Sequence, residues 1–89
     1  MLELEYTHQM KRDLKLAKKR GKNFNKLKLI TNLLQEKKIL PEKYRNHKLS
    51  GDYKDHWECH IEGDWLLIYL PVPNVIRLVR TGTHADLFE

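Results

Sequence analysis

His56-Trp57-Glu58-Cys59-His60-Ile61-Glu62-Gly63-Asp64-Trp65-Leu66-Leu67-Ile68-Tyr69-Leu70 reads as two antiparallel strands joined by a tight turn. Trp57, Cys59 and Ile61 alternate with His56, Glu58, His60 and Glu62, the period-two signature of a strand with one buried and one wet face. Gly63 can take the positive φ of a short hairpin loop, and Asp64 can bond back to the turn backbone. Residues 65–70 are an almost unbroken apolar run, long enough for a central strand and too short to span a membrane. The wet face of the first strand then carries His60 close to Asp64.

Toward the amino terminus, Leu2, Leu4 and Tyr6 alternate with Glu3 and Glu5 and predict a first strand. Thr7 is placed to cap a helix with Met10, Leu14 and Ala17 on one face and Lys11, Lys15, Lys18 and Lys19 off it, closed by Gly21. Asn23 caps a second helix whose stripe is Phe24, Leu27, Ile30, Leu33 and Leu34, with Pro41 marking its end. Residues 42–48 read as a polar loop, and Lys48-Leu49-Ser50-Gly51-Asp52-Tyr53 as a short strand ending in a turn. Past the hairpin, Pro71-Val72-Pro73-Asn74 breaks the pattern and Val75-Ile76-Arg77-Leu78-Val79-Arg80-Thr81 is a last strand rich in β-branched residues. The pattern sets no form for the tail after Gly82. Neither helix can bury its stripe alone, so both belong on one face of the sheet. The expected fold is one α+β domain over residues 1–89, two N-terminal helices packed on one face of a small, mainly antiparallel sheet. Its other face stays open to a ligand.

One cysteine, Cys59, excludes an internal disulfide and a cysteine-cluster zinc site, and suits a reducing cytosol. The order Met-Leu-Glu-Leu-Glu-Tyr is not that of a signal peptide, so the expected location is cytoplasmic, with no membrane partner. The formal charge of +5 is unevenly placed: residues 1–48 carry a net +9 and residues 49–89 a net −4. A polyanion or an acidic protein fits the basic half, against the blander reading of a solvated, lysine-rich helix surface.

Four polar residues stand out: His47 in the loop, His60 on the hairpin, Asp64 at its turn, and His84 after the last strand. Imidazole donates and accepts protons near neutral pH, so two of them flanking a phosphodiester make an acid and base pair. RNA brings its own nucleophile, the 2′-hydroxyl, and needs no metal for such cleavage. The extra charge on the phosphorane calls for a cation, and Arg80 is the best placed. The separations of His47, His60 and His84 match no motif, and isolated histidines are more often surface or structural groups. Asp64 is by default a turn former, Phe88 a core plug or frayed end, and Cys59 an inert buried thiol. Three histidines and a carboxylate could also bind Zn²⁺, although no H-E-x-x-H spacing supports a metal site.

These residues resemble a known family. Asn46-His47-Lys48-Leu49-Ser50-Gly51, His60-Ile61-Glu62-Gly63-Asp64-Trp65-Leu66-Leu67-Ile68-Tyr69 and Arg80-Thr81-Gly82-Thr83-His84-Ala85-Asp86-Leu87-Phe88 are similar to the YafQ-type toxins of the RelE superfamily, the ribonuclease half of bacterial type II toxin–antitoxin pairs. The resemblance extends over nearly the whole chain and implies metal-independent mRNA cleavage at the ribosome, with no cofactor. Its active-site positions fall on His47, His60, Asp64, His84 and Phe88. It implies His84 as general acid, His47 or His60 as base, Asp64 orienting a histidine, Arg80 and Lys48 holding substrate, and Phe88 packing on a base. It also implies a cognate antitoxin, mRNA and the 16S rRNA of the ribosome as partners. A non-catalytic module that binds nucleic acid or an acidic protein, and a zinc-dependent hydrolase, are the competing classes.

Overall fold

The period-two runs form strands and the two apolar stripes form helices in the computed structural model, which describes residues 1–88. In chain order the elements are β1 (Glu3–Tyr6), α1 (His8–Lys19), α2 (Phe24–Gln35), β2 (His47–Lys48), β3 (Trp57–Glu62), β4 (Trp65–Val72), β5 (Val75–Gly82) and α3 (His84–Phe88). One sheet has the order β1-β5-β4-β3-β2, antiparallel throughout except for the β1–β5 pair. Thr7 caps α1 by accepting the Met10 N–H at 3.0 Å, and Asn23 caps α2 by accepting the Asn25 N–H at 3.0 Å. Gly21, at φ +74°, turns the chain from one helix into the next. The helices bury Met10, Ala17, Leu27, Ile30 and Leu34 against Cys59, Ile61, Trp65, Leu67, Tyr69 and Leu78 of the sheet. Each large apolar side chain so buried contributes roughly 1.5–3 kcal/mol, which fixes the strand register.

Several boundaries differ from the sequence reading. Helix α2 ends at Gln35 rather than at Pro41, because Lys37 takes a left-handed conformation (φ +58°) and the chain folds back to bury Leu40. The 42–48 loop holds a 3₁₀ turn at Glu42–Tyr44, with Tyr44 buried, and then β2. The expected strand over 48–53 shrinks to His47–Lys48, and Gly51–Tyr53 is a second 3₁₀ turn. The tail forms α3. The face away from α1 and α2 is partly covered rather than open, for Leu66 and Ile68 pack there against Leu49, Tyr53 and Leu87.

Candidate active site

Cross-strand partners share a face of the sheet, and the register builds the site from two rows. His47 pairs with Glu58, Glu58 with Ile68, and Ile68 with Arg80. The next row runs from His60 through Leu66 to Gly82, and His84 follows where β5 passes into α3. Residues far apart in sequence therefore meet on the face opposite α1 and α2. The ring centroids of His47 and His60 are 6.5 Å apart, and those of His60 and His84 are 5.8 Å apart. Phe88 is 6.2 Å from His84 and packs edge-on against Tyr53 at 5.9 Å.

His47 and His84 are each held through Nδ1, while His60 shares Glu58 with His47. His47 Nδ1 donates to the Arg45 carbonyl at 2.7 Å, leaving Nε2 to face Glu58 Oε1 at 3.4 Å. The adjacent Asn46 receives the Tyr69 hydroxyl at 2.7 Å, which ties this loop to the core. His60 Nε2 lies 3.9 Å from the same Glu58 oxygen, with its side chain 19% exposed. His84 donates its backbone N–H to Asp64 Oδ1 at 3.0 Å and its ring Nδ1–H to the same atom at 2.7 Å, so Nε2 is left for other partners. Those two bonds, the backbone one foremost, lower the Asp64 pKa. Asp64 serves α3 rather than its own turn.

Glu58 is the residue the sequence pattern misjudged. The alternation placed it on a wet face, yet its side chain is only 4% exposed, lying beneath His47 and His60 with Oε2 unpartnered among the described residues. A buried carboxylate is costly unless paired, which ties its charge to the two imidazoles above it. Cys59, on the opposite face, is fully buried, and burial reinforced by the Glu58 charge pushes its thiol up to about 12. It is inert, as expected.

Arg80 reaches the site face already engaged. Its Nε and Nη2 donate to Asp13 of α1 at 2.8 and 3.3 Å, and Asp13 also accepts the Thr81 N–H at 3.1 Å. Because β1 pairs only with Val75–Leu78, the outer edge of β5 beyond them needs side-chain partners. Asp13 supplies one, and the Thr7 hydroxyl, donating to the Val79 carbonyl at 2.8 Å, supplies another. Asp13 was not singled out from sequence, although it sits between Met10 and Ala17 at the helical spacing of the buried stripe. Lys48 is exposed, 4.0 Å from Asp55.

Helix α3 is fastened at its start. Thr83 Oγ1 accepts the Asp86 N–H at 3.1 Å while Asp86 Oδ2 accepts the Thr83 N–H at 2.9 Å, a reciprocal cap. Arg20, the residue that caps α1, donates to the same carboxylate at 2.6 Å, and Gly82 leaves no room for a side chain, since a Cβ there would lie 2.8 Å from Asp86 Oδ2. The Arg20 contact, followed by the Thr83 N–H, holds the Asp86 carboxyl far below the usual range. A depressed carboxyl stabilises the fold above its unfolded pKa, near 4, and that contribution is lost as pH falls toward the folded value. Asp86→Asn should therefore lower the urea midpoint at pH 7 and flatten its decline below about pH 4. An unchanged acid limb would count against the clamp.

Glu58, His60 and His84 also offer ligand atoms that all lie within 4.8 Å of one another. Two nitrogens and a carboxylate oxygen are a donor set that Zn²⁺ or Cu²⁺ accepts. No described helix is long and apolar enough to cross a membrane.

Fold and site together define a small α+β protein with a cationic helical layer on one side and a histidine–carboxylate cluster on the other. A family model described as "Bacterial toxin of type II toxin-antitoxin system, YafQ" matches residues 2–89, and the chain belongs to that toxin family. It is 46% identical over 87 residues to the mRNA interferase toxin YafQ of Escherichia coli (strain K12), covering 97% of this chain and 95% of the relative. The toxin in a crystal structure of the E. coli DinJ-YafQ complex superposes with a TM-score of 0.90 at 42% identity over the full length of both chains. A metal-bound toxin from Helicobacter pylori superposes with a TM-score of 0.93 at 37% identity, covering 99% of this chain and 100% of the other.

Proposed function

We propose that this toxin is an endoribonuclease that cuts mRNA at the ribosome by attack of the 2′-hydroxyl on the adjacent phosphate, without a metal. The observation that carries this reading is the gathering of three imidazoles from the β2 edge, β3 and α3 over one patch. His47 or His60 takes the proton from the 2′-oxygen, whose lone pair then forms the new bond to phosphorus. The P–O5′ bond breaks, and His84 Nε2–H delivers a proton to the departing 5′-oxygen. The products are a 2′,3′-cyclic phosphate and a 5′-hydroxyl. Asp64 fixes the His84 tautomer and offsets the positive charge its ring carries as the acid, as carboxylates paired with histidine commonly do. Glu58, beneath His47 and His60, offsets the positive charge that the base gains with the proton. Phe88 packs on a base of the RNA, and Arg80 and Lys48 add positive charge near the phosphate. An antitoxin with an acidic or amphipathic segment would complement the net +9 of residues 1–48.

The test is cleavage by the purified toxin on translating ribosomes, with chelator present, across pH. Activity should survive the chelator and trace a bell, one limb for the base and one for the acid. A flat profile from about pH 5 to 9 would remove histidine acid–base catalysis.

A second reading has its own support in the donor set of Glu58, His60 and His84. A divalent metal held there would supply Lewis-acid chemistry and would occupy the ring nitrogens that acid–base catalysis needs. Added Zn²⁺ then separates the readings, since it inhibits a metal-free nuclease and restores activity to a zinc-dependent one.

A further inference from the structure

Strand β2 is two residues long, so the outer edge of β3 runs past it uncovered toward the hairpin turn. Between that edge, α2 and the first 3₁₀ turn lies a groove of about 640 Å³ that opens beside His60. Three cations line it: Lys26 from α2, and Lys43 and Arg45 from the turn. Lys26 is paired with Glu62, whose carboxyl it holds down, but neither Lys43 nor Arg45 has a carboxylate partner among the described residues. Lys43 Nζ rests 5.1 Å above the Tyr44 ring, against the groove wall. Arg45 sits at φ +47°, a conformation that glycine or asparagine takes with less strain. Its carbonyl fixes His47, a backbone task that requires no arginine side chain. The side chain there calls for a separate use.

We infer that this groove carries the RNA backbone on the 5′ side of the cut, with Lys43 and Arg45 each holding a phosphodiester upstream of the scissile one. The polarity follows from the chemistry. The 2′-hydroxyl belongs to the nucleotide on the 5′ side, and its proton goes to His60, which lines the groove, or to His47, two residues past Arg45. The departing 5′-oxygen faces His84, so the 3′ segment leaves past Phe88 on α3. Leu29 of α2, an exposed leucine in the groove lining, gives an upstream sugar or base an apolar floor. The inference rests on the ribonuclease reading above and adds a direction and two residues to it.

The experiment uses the whole toxin and an RNA octamer carrying 2′-O-methyl groups, which cannot be cut. Binding is read by fluorescence anisotropy and, with a spin label on one end of the octamer, by broadening of backbone amide signals. A Lys43→Glu/Arg45→Glu variant should bind about tenfold more weakly, and its slope of log affinity against log salt should be shallower by about 0.7 for each phosphate no longer held. Lys43→Met alone, which leaves the Arg45 turn intact, should show roughly half of that change in slope. The same reversal at Lys11 and Lys15, exposed on α1, should leave octamer binding nearly unchanged. A 5′ label should broaden Lys43 and Arg45, and a 3′ label Phe88. Equal affinity of the parent and both groove variants would overturn the groove while leaving the nuclease reading in place. A 3′ label that broadens the groove would overturn the polarity. No octamer binding by the parent toxin would remove both.

Discussion

A His84→Ala toxin is expected to cut RNA about 10²- to 10⁴-fold more slowly than the parent, the usual contribution of one positioned proton donor. The loss should fall mainly on kcat, because the proton is needed only as the P–O5′ bond breaks. His84 is well placed for this, since its ring is held through Nδ1 by an exposed aspartate and Nε2 points elsewhere. Little structural damage should accompany it, as the side chain is 57% exposed and the start of α3 is fastened independently through Asp86. A sharper version replaces the bridging 5′-oxygen of the substrate with sulfur, a leaving group that needs no proton. The variant should cut that substrate nearly as fast as the parent does, whereas a defect equal to that on ordinary RNA would show that His84 does something other than donate.

The second large effect concerns stability. Asp13→Ala should destabilise the fold by about 3 kcal/mol, the usual cost of stripping one partner from a buried ion pair. Asp13 carries three hydrogen bonds from the β5 edge, two from Arg80 and one from the Thr81 backbone, so the change strips the guanidinium of its carboxylate and the Thr81 N–H of its acceptor. For a domain of this size, with a total of roughly 5–15 kcal/mol, that is a large fraction. Urea titration reads it directly. The double change Asp13→Leu/Arg80→Met should recover part of the loss, because removing both charges avoids the uncompensated one. If the double variant is no more stable than Asp13→Ala, the pair is not the source of the effect.

The helices, the hairpin and the last strand were legible because their apolar periods are regular and their caps and turn residues agree with them. Two short elements were not. The pair His47–Lys48 is a strand only because Glu58 and Trp57 are there to pair with it, and α3 depends on a clamp that begins at Arg20, just past the end of α1. The candidate site was legible as a set of residue types, chiefly through a family resemblance, but not as geometry. His47, His60 and His84 meet because of sheet register, and register leaves no spacing in the sequence. Glu58 and Asp13 were hidden for a shared reason. Each is a charge at a position where simple patterning expects either solvent or an apolar group, and each is buried because a cation or imidazole lies across an interface that the local sequence does not contain. For Asp13 a signal existed, a carboxylate in step with a buried stripe, while for Glu58 none did.

Whether imidazoles from three separate elements act on a single phosphate is most directly read from the ends of the cleaved RNA. With chelator present, the parent toxin should leave only 2′,3′-cyclic phosphate and 5′-hydroxyl ends. RNA with a 2′-deoxy sugar at the cut should be inert, and His47→Ala, His60→Ala and His84→Ala should each reduce the yield of the same ends. Products bearing 5′-phosphate and 3′-hydroxyl, or cleavage that continues at the deoxy position, would mean that water rather than the 2′-oxygen attacks, and would contradict the account.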